Sequence, residues 1–200
     1  MKEQFLDLSK NRRSIYALGR NLNQTPDEIA DLIKENIKWA PTAFNNQTTR
    51  AVILFGDSHE KLWDIVADRL KTEVPSEEAY QKTLQKLNGF KNAFGTVLFY
   101  TDMNIVHEFE NNFTLYADNF ADWAEQAQGN AQYSVWTSLA ENGIGANVQH
   151  YNPLIDDLVK EAFNIPDGWR LRAQLDFGSI EAGAGEKEFM NDADRFKVLK

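Results

Sequence analysis

Apolar residues recur at helical spacing over Ile29, Leu32, Ile33 and Ile37, the period of one helix face. Ahead of them, Thr25-Pro26-Asp27-Glu28 offers a capping hydroxyl, a proline for the first helical position and acids for the first turn. A helix is therefore predicted from Thr25 to about Trp39. The same period predicts helices over residues 59–71, with Ser58 as cap and Leu62, Ile65, Val66 and Leu70 inward, and over 77–87. Residues 5–17 read as a helix interrupted around Arg12-Arg13, with Phe5, Leu8 and Ile15 inward. Residues 112–143 read as a helix broken near Gly129-Asn130 and ended by Gly143-Ile144-Gly145. Asn152-Pro153 opens a short helix with Asp156 and Asp157 in its first turn, and 165–168 is a turn.

Two short apolar runs, 51–55 and 95–101, fit strands covered on both faces. From Trp169 to Phe177 the pattern changes: Leu171, Ala173 and Leu175 alternate with Arg170, Arg172, Gln174 and Asp176, which predicts a half-exposed strand. An extended stretch at 195–199 would place Arg195 and Lys197 on one face. Few strands among many helices predict an α+β fold, a small mixed and mainly antiparallel sheet surrounded by helices, as one domain over residues 1–200.

Composition narrows the chemistry. A 200-residue chain that is 42% hydrophobic can bury one full core. It has no cysteine, which excludes disulfides, thiolate catalysis and cysteine-held metals. Asp7 and Glu3 stand where a secretory signal has its apolar core, and no run is long enough to span a bilayer, so a soluble cytoplasmic protein is expected. The formal charge of -9 argues against nucleic acid or an anionic membrane as partner. His59, His107 and His150 are dispersed and none sits in a His-Glu-x-x-His pattern, so no metal site is expected. Gly183-Ala184-Gly185 lacks the third glycine and following helix of a dinucleotide loop and reads as a turn.

In so acidic a chain an anionic ligand needs a local basic cluster. Arg12-Arg13-Ser14 and the pair Arg195 and Lys197 are the candidates, because guanidinium forks bind phosphate oxygens through paired hydrogen bonds. The alternative is two sets of solvated surface cations. The second candidate is the run Pro41-Thr42-Ala43-Phe44-Asn45-Asn46-Gln47, between a helix and an apolar strand. Its amides offer donors and acceptors suited to a flat, polar-edged ligand, although Thr, Asn and Pro are also ordinary turn residues.

Taken in order, Arg12-Arg13-Ser14, the pattern Ala40-Pro41-Thr42-x-x-Asn45-x-Gln47 and the terminal basic pair resemble the FMN-dependent nitroreductase family over essentially the whole chain. Residues 145–153 and Gly185-Glu186-Lys187 look most like the branch with fungal fatty-acid-repression-mutant-type proteins and bacterial small nitroreductases. The resemblance implies an intertwined homodimer with two FMN sites between subunits. It implies that Arg12, Arg13 and Ser14 meet the phosphate and ring edge, with Arg195 and Lys197 on the phosphate. Pro41, Thr42, Ala43, Asn45 and Gln47 would reach in from the other subunit, and Val148, Gln149 and His150 would lie along the isoalloxazine. Two positions depart from the family. Tyr16 stands where Lys or Arg is common, leaving Arg13 or Lys91 to meet charge on the reduced ring, and Thr48-Thr49 replaces a frequent Pro-Trp.

The function implied is an oxidoreductase in which NADH or NADPH reduces FMN and leaves, and a nitroaromatic or quinone then takes the electrons, a ping-pong scheme that needs no catalytic side chain. Phe44, Tyr116 and Phe120 are candidates to stack on the substrate, or else to pack in the core. The alternative is an FMN-binding redox sensor with little steady turnover.

Overall fold

The computed structural model describes residues 2–200. Helix α1 (Gln4–Asn11) ends before the arginine doublet, so the helix expected over 5–17 stops at Asn11. Residues 12–17 run extended instead, because Ser14 bridges Ala146 and the Ile15 N–H donates to the Ala146 carbonyl. A two-residue strand, β1 (Leu18–Gly19), follows. Helix α2 (Pro26–Trp39) begins as predicted: the Glu28 N–H donates to the Thr25 hydroxyl while the Glu28 carboxylate accepts the Thr25 N–H at 2.8 Å. Two otherwise orphaned backbone donors are thereby satisfied.

Strands β2 (Thr49–Phe55), β3 (Gly95–Asp102) and β5 (Trp169–Ile180) form the sheet's spine in the order β2-β3-β5. Along the far edge of β5 lie β4 (Gly145–Gln149) and β1. Every strand pair is antiparallel, and the parallel element among the described residues is the Ser14–Ala146 bridge. One face buries Val97, Phe99, Leu175 and Phe177 against Ile29 and Ile33 of α2 and against Ala131, Val135 and Leu139 of α6 (Phe120–Glu141). The other buries Leu98, Tyr100 and Leu171 under α3 (Gly56–Leu70), α4 (Glu77–Lys91) and α7 (Asp156–Phe163). Each fully buried side chain of this size contributes about 1.5–3 kcal/mol, so the two-sided cover holds the fold.

That cover explains several departures from expectation. Gln174 and Asp176 of β5 are fully buried, not half-exposed, because helices lie on both faces of the strand and each side chain finds a polar partner there. The cap of α3 is not Ser58: the chain enters that helix at Gly56, whose φ of 52° suits glycine. Nor does α6 break at Gly129-Asn130, since Ala127, Gln128 and Ala131 around that point are buried. The interruption comes earlier, where α5 (Met103–Asn112) gives way to the 3₁₀ turns of Thr114–Asn119. The end of the chain forms α8 (Asp192–Arg195) and then exposed coil, not a strand over 195–199. Among the described residues no helix is long and apolar enough to cross a membrane.

Candidate functional site

Residues 12–14 reach their positions through the sheet. The Asn147 amide donates to the Ile15 carbonyl at 2.9 Å beside the Ile15–Ala146 backbone bond. Gly145 allows the approach: a Cβ there would come within 2.8 Å of Ile180 Cγ1 and 2.9 Å of Leu18 Cδ2. The arm thus lies against β4, and Arg12 and Ser14 face the end of that strand. Together with Gly129, Gln132, Tyr133 and Trp136 of α6, and with Val148 and His150, they line a cavity of about 420 Å³. The Arg12 guanidinium lies 4.3 Å from the Trp136 ring centroid, a cation–π stack. Arg12 Nε and the Trp136 indole nitrogen are both buried without an acceptor.

A second cleft of about 490 Å³ adjoins the first through Arg12 and Ser14 and adds Arg13, Tyr16 and residues 182–187. Arg13 donates to the Gly185 carbonyl at 2.7 Å. The stretch read from sequence as a plain turn therefore forms one wall of this cleft. Tyr16 is exposed on another. Lys91 lies at neither cavity, its ammonium bound to the Asp64 carboxylate at 2.6 and 2.8 Å.

The polar loop is placed apart from the arm. Pro41, Thr42, Ala43 and Phe44 line a cavity of about 380 Å³ against Trp123, Gln126, Ala127 and Asn130, on a different face of α6 from the one that meets Arg12. Asn130 holds the loop by donating to the Pro41 carbonyl at 3.1 Å, and Arg50 of β2 holds its exit by donating to the Gln47 carbonyl at 2.7 Å. Between these anchors Phe44, Asn45 and Gln47 take left-handed φ values of 54°, 52° and 49°. Such conformations cost of order 1–3 kcal/mol each outside glycine and persist where the surroundings over-determine them, most often at functional sites. Asn46 and Thr48, buried beside them, have side-chain polar atoms without partners.

Of the aromatic candidates, Phe44 is 52% exposed and its ring centroid lies 5.1 Å from Phe113, 5.9 Å from Tyr116, 5.7 Å from Phe120 and 6.0 Å from Trp123. Tyr116 also presents a face. Phe120 does not: it is fully buried beneath Phe44 and supports that ring in place of meeting a ligand. Gln149 departs in the same way, its side chain turned inward to donate to Asn147 Oδ1 at 2.8 Å. Arg195 and Lys197 are exposed at the end of the chain and line no cavity with Arg12.

Among these residues the sequence marks Asn130 only as an expected helix break and does not point to Trp136, Gln126 or Asn147 as site residues. For α6 a signal existed, since Gly129, Gln132, Tyr133 and Trp136 fall at i, i+3, i+4 and i+7, one face whose small and polar members do not suit a core.

Known proteins share this fold. A family model described as Nitroreductase family matches residues 9–179. The putative nitroreductase HBN1 of Saccharomyces cerevisiae is 38% identical over 188 residues, covering 92% of this chain and 93% of that protein. Nitroreductase CinD from Lactococcus lactis, solved in complex with nicotinic acid, is 54% identical with a TM-score of 0.91 over 98% of this chain and 100% of its own. The same enzyme in complex with 4-nitrophenol gives 53% identity and a TM-score of 0.90 over the same shares. With the family matched across the sheet, the arm and the polar loop alike, the chain belongs to the nitroreductase family and is an oxidoreductase.

Proposed function

We propose that the chain binds FMN and uses NAD(P)H to reduce nitroaromatic compounds or quinones by a ping-pong mechanism. The observation that carries this reading is Arg12, a guanidinium stacked on Trp136 in the wall of a cavity with its Nε lacking any acceptor. A buried donor without a partner costs about 1–3 kcal/mol, so the site is built for an acceptor that the chain itself does not supply. The residues present fit the cofactor: cations for a phosphate at Arg12 and Arg13, a hydroxyl at Ser14, and the β4 end at Val148 and His150 as an edge for a flat ring.

FMN, when bound, supplies the two-electron carrier between nicotinamide and acceptor. The chain's part is to bind, orient and exclude water. Arg12 and Arg13 hold the phosphate end, with Arg12 set by Trp136 and Arg13 by the Gly185 carbonyl. Phe44 and Tyr116 offer flat apolar faces to an aromatic acceptor, and no side chain needs to exchange a proton with it. CinD was solved in complex with 4-nitrophenol, which supports the nitroaromatic class here.

Within one chain the loop at 41–47 and the arm at 12–14 do not share a cavity, so the reading includes a homodimer in which the loop of one copy closes the cavity of the other. Exposed apolar residues support it: Trp39 is 84% exposed, and Phe5, Phe196, Val198 and Leu199 project at the surface. Arg195 and Lys197 would reach the phosphate only if the terminal segment packs on a second copy.

The purified protein should be yellow, release FMN on denaturation, and oxidise NAD(P)H continuously when a nitroarene or quinone is added. A colourless protein that takes up no FMN rules the reading out. A flavin reduced once without turnover would favour the sensor.

A further inference from the structure

We infer that Asn147 is a positioning residue for the cation-bearing arm, fixing Arg12, Arg13 and Ser14 against the strand that forms the other wall of the cavity. The inference rests on the FMN reading above. Asn147 is fully buried, yet it sits one residue before Val148, which lines the cavity. Its Nδ2 donates to the Ile15 carbonyl at 2.9 Å, and its Oδ1 accepts from Gln149 Nε2 at 2.8 Å. The second bond fixes which end of the amide faces the arm. A residue that only filled space there would need no such orientation.

Between α1 and β1 the arm is tied down at few points. The Ile15 N–H donates to Ala146, the Asn147 bond holds the Ile15 carbonyl, the Glu181 N–H donates to the Ala17 carbonyl at 2.9 Å, and Arg13 donates to the Gly185 carbonyl. The first two act on Ile15 from opposite ends, N–H and carbonyl, and so fix the peptides on both sides of it, the first of which carries the Ser14 carbonyl. Arg12 has no ion pair of its own, so its direction depends on its backbone and on the Trp136 stack. Recognition of a phosphate by guanidinium forks is geometric, and a loosened arm spends the binding free energy on ordering itself.

The test uses the full chain, with Asn147→Leu, of the same branched shape but no hydrogen bond, and Asn147→Ser, smaller and with a hydroxyl too short to reach the Ile15 carbonyl. Free FMN is titrated into apoprotein by quenching of its fluorescence, and amide exchange is followed at Ile15. For Asn147→Leu, loss of one oriented hydrogen bond to the arm is expected to weaken FMN binding about tenfold and to speed exchange at Ile15 by a similar factor. Asn147→Ser is expected to show the same two effects, which separates loss of the bond from crowding by leucine. Should the Leu variant not fold, Asn147→Ala carries the same expectation. Lower thermal stability with wild-type FMN affinity and wild-type exchange at Ile15 would make Asn147 a core residue only and overturn the inference. If the wild type takes up no FMN, the functional reading fails by itself, and the exchange at Ile15 still decides whether Asn147 holds the arm.

Discussion

Two polar clusters lie on opposite faces of the sheet, and they are completed differently. Under α3, Thr96 Oγ1 lies 2.5 Å from Asp176 Oδ1 and 2.8 Å from His59 Nδ1, and accepts from the Trp63 indole at 3.2 Å, while His59 Nε2 lies 3.2 Å from the Lys91 carbonyl. Burial pushes the Asp176 carboxyl well above its ordinary range and the His59 imidazole down to about 4, so His59 is neutral near pH 7. Thr96 donates to Asp176 Oδ1 while accepting from the Trp63 indole, which ties the three side chains together. On the α6 side, Arg12 Nε, the Trp136 nitrogen, the Asn46 amide and the Thr48 hydroxyl are buried with no partner. In the first network every group but Asp176 Oδ2 finds a partner within the fold, whereas the groups on the α6 side find none, as expected of a site that takes a ligand or a second copy.

The largest effect expected from that difference is in stability. Thr96→Val keeps the shape and removes the hydroxyl shared by Asp176, His59 and Trp63, stranding buried groups that each cost about 1–3 kcal/mol when unsatisfied. Urea unfolding should show a loss of about 3 kcal/mol. A loss below about 1 kcal/mol would mean the network is no better completed than the open cluster.

The same network predicts a pH signature. For His59 the folded value of about 4 lies below the ordinary 6.5, so between these the unfolded chain binds the extra proton and stability falls as pH drops, at about 1.4 kcal/mol per unit. Asp176 acts in the opposite sense. Its folded value lies above 3.8, so above about pH 4 the unfolded carboxyl ionises first and stability falls as pH rises. Where both groups act the two slopes oppose and partly cancel. Asp176→Asn should uncover the His59 slope, with stability rising by about 2–3 kcal/mol from pH 4 to 6.5, and His59→Gln should uncover the reverse slope. Parallel stability curves for wild type and both variants would mean that burial perturbs neither group.

How much of this was legible in the sequence follows the same division. Helix α2 was readable because its cap, its proline and its apolar spacing are all local, and β2 and β3 because covered strands read as apolar runs. Asp176 and Gln174 mimicked an exposed face because alternation reports polarity, not the partner across the sheet. The arm at 12–14 looked helical because its extended path is set by Ala146 and Asn147, more than 130 positions away. The basic cluster and polar loop were visible as residue types. That they lie on two faces of α6, that Phe120 sits under Phe44 and that Gln149 turns inward all depend on packing.

The next prediction acts on the open cluster. Arg12→Ala should weaken FMN binding on the order of ten- to hundredfold, the worth of a charge-assisted contact of about 1.5–3 kcal/mol. It should leave apoprotein stability within about 1 kcal/mol, because loss of the Trp136 stack and removal of the unpaired Nε act in opposite senses. Fluorescence titration of FMN and urea unfolding on the same samples measure both. A large stability loss with unchanged affinity would place Arg12 with the completed cluster and not with the open one.

The smallest expected effect is at Gln47, where the loop's strain can be relieved without touching its anchors. Its φ of 49° favours glycine, its backbone N–H donates to Thr42 Oγ1 at 3.1 Å, and its carbonyl accepts from Arg50. Gln47→Gly keeps both of those bonds and removes the side chain, whose amide reaches only the Asn45 carbonyl at 3.4 Å. Relief of the left-handed strain should stabilise by about 1 kcal/mol, reduced somewhat by the greater freedom of glycine in the unfolded chain. If the loop is strained so as to present its amides to a ligand held by a second copy, the more stable variant should bind FMN less tightly, by about threefold. Thermal unfolding of apoprotein beside an FMN titration separates the two effects. Higher stability with unchanged affinity would confine Gln47 to shaping the loop, and lower stability would show that its left-handed backbone is held at no cost.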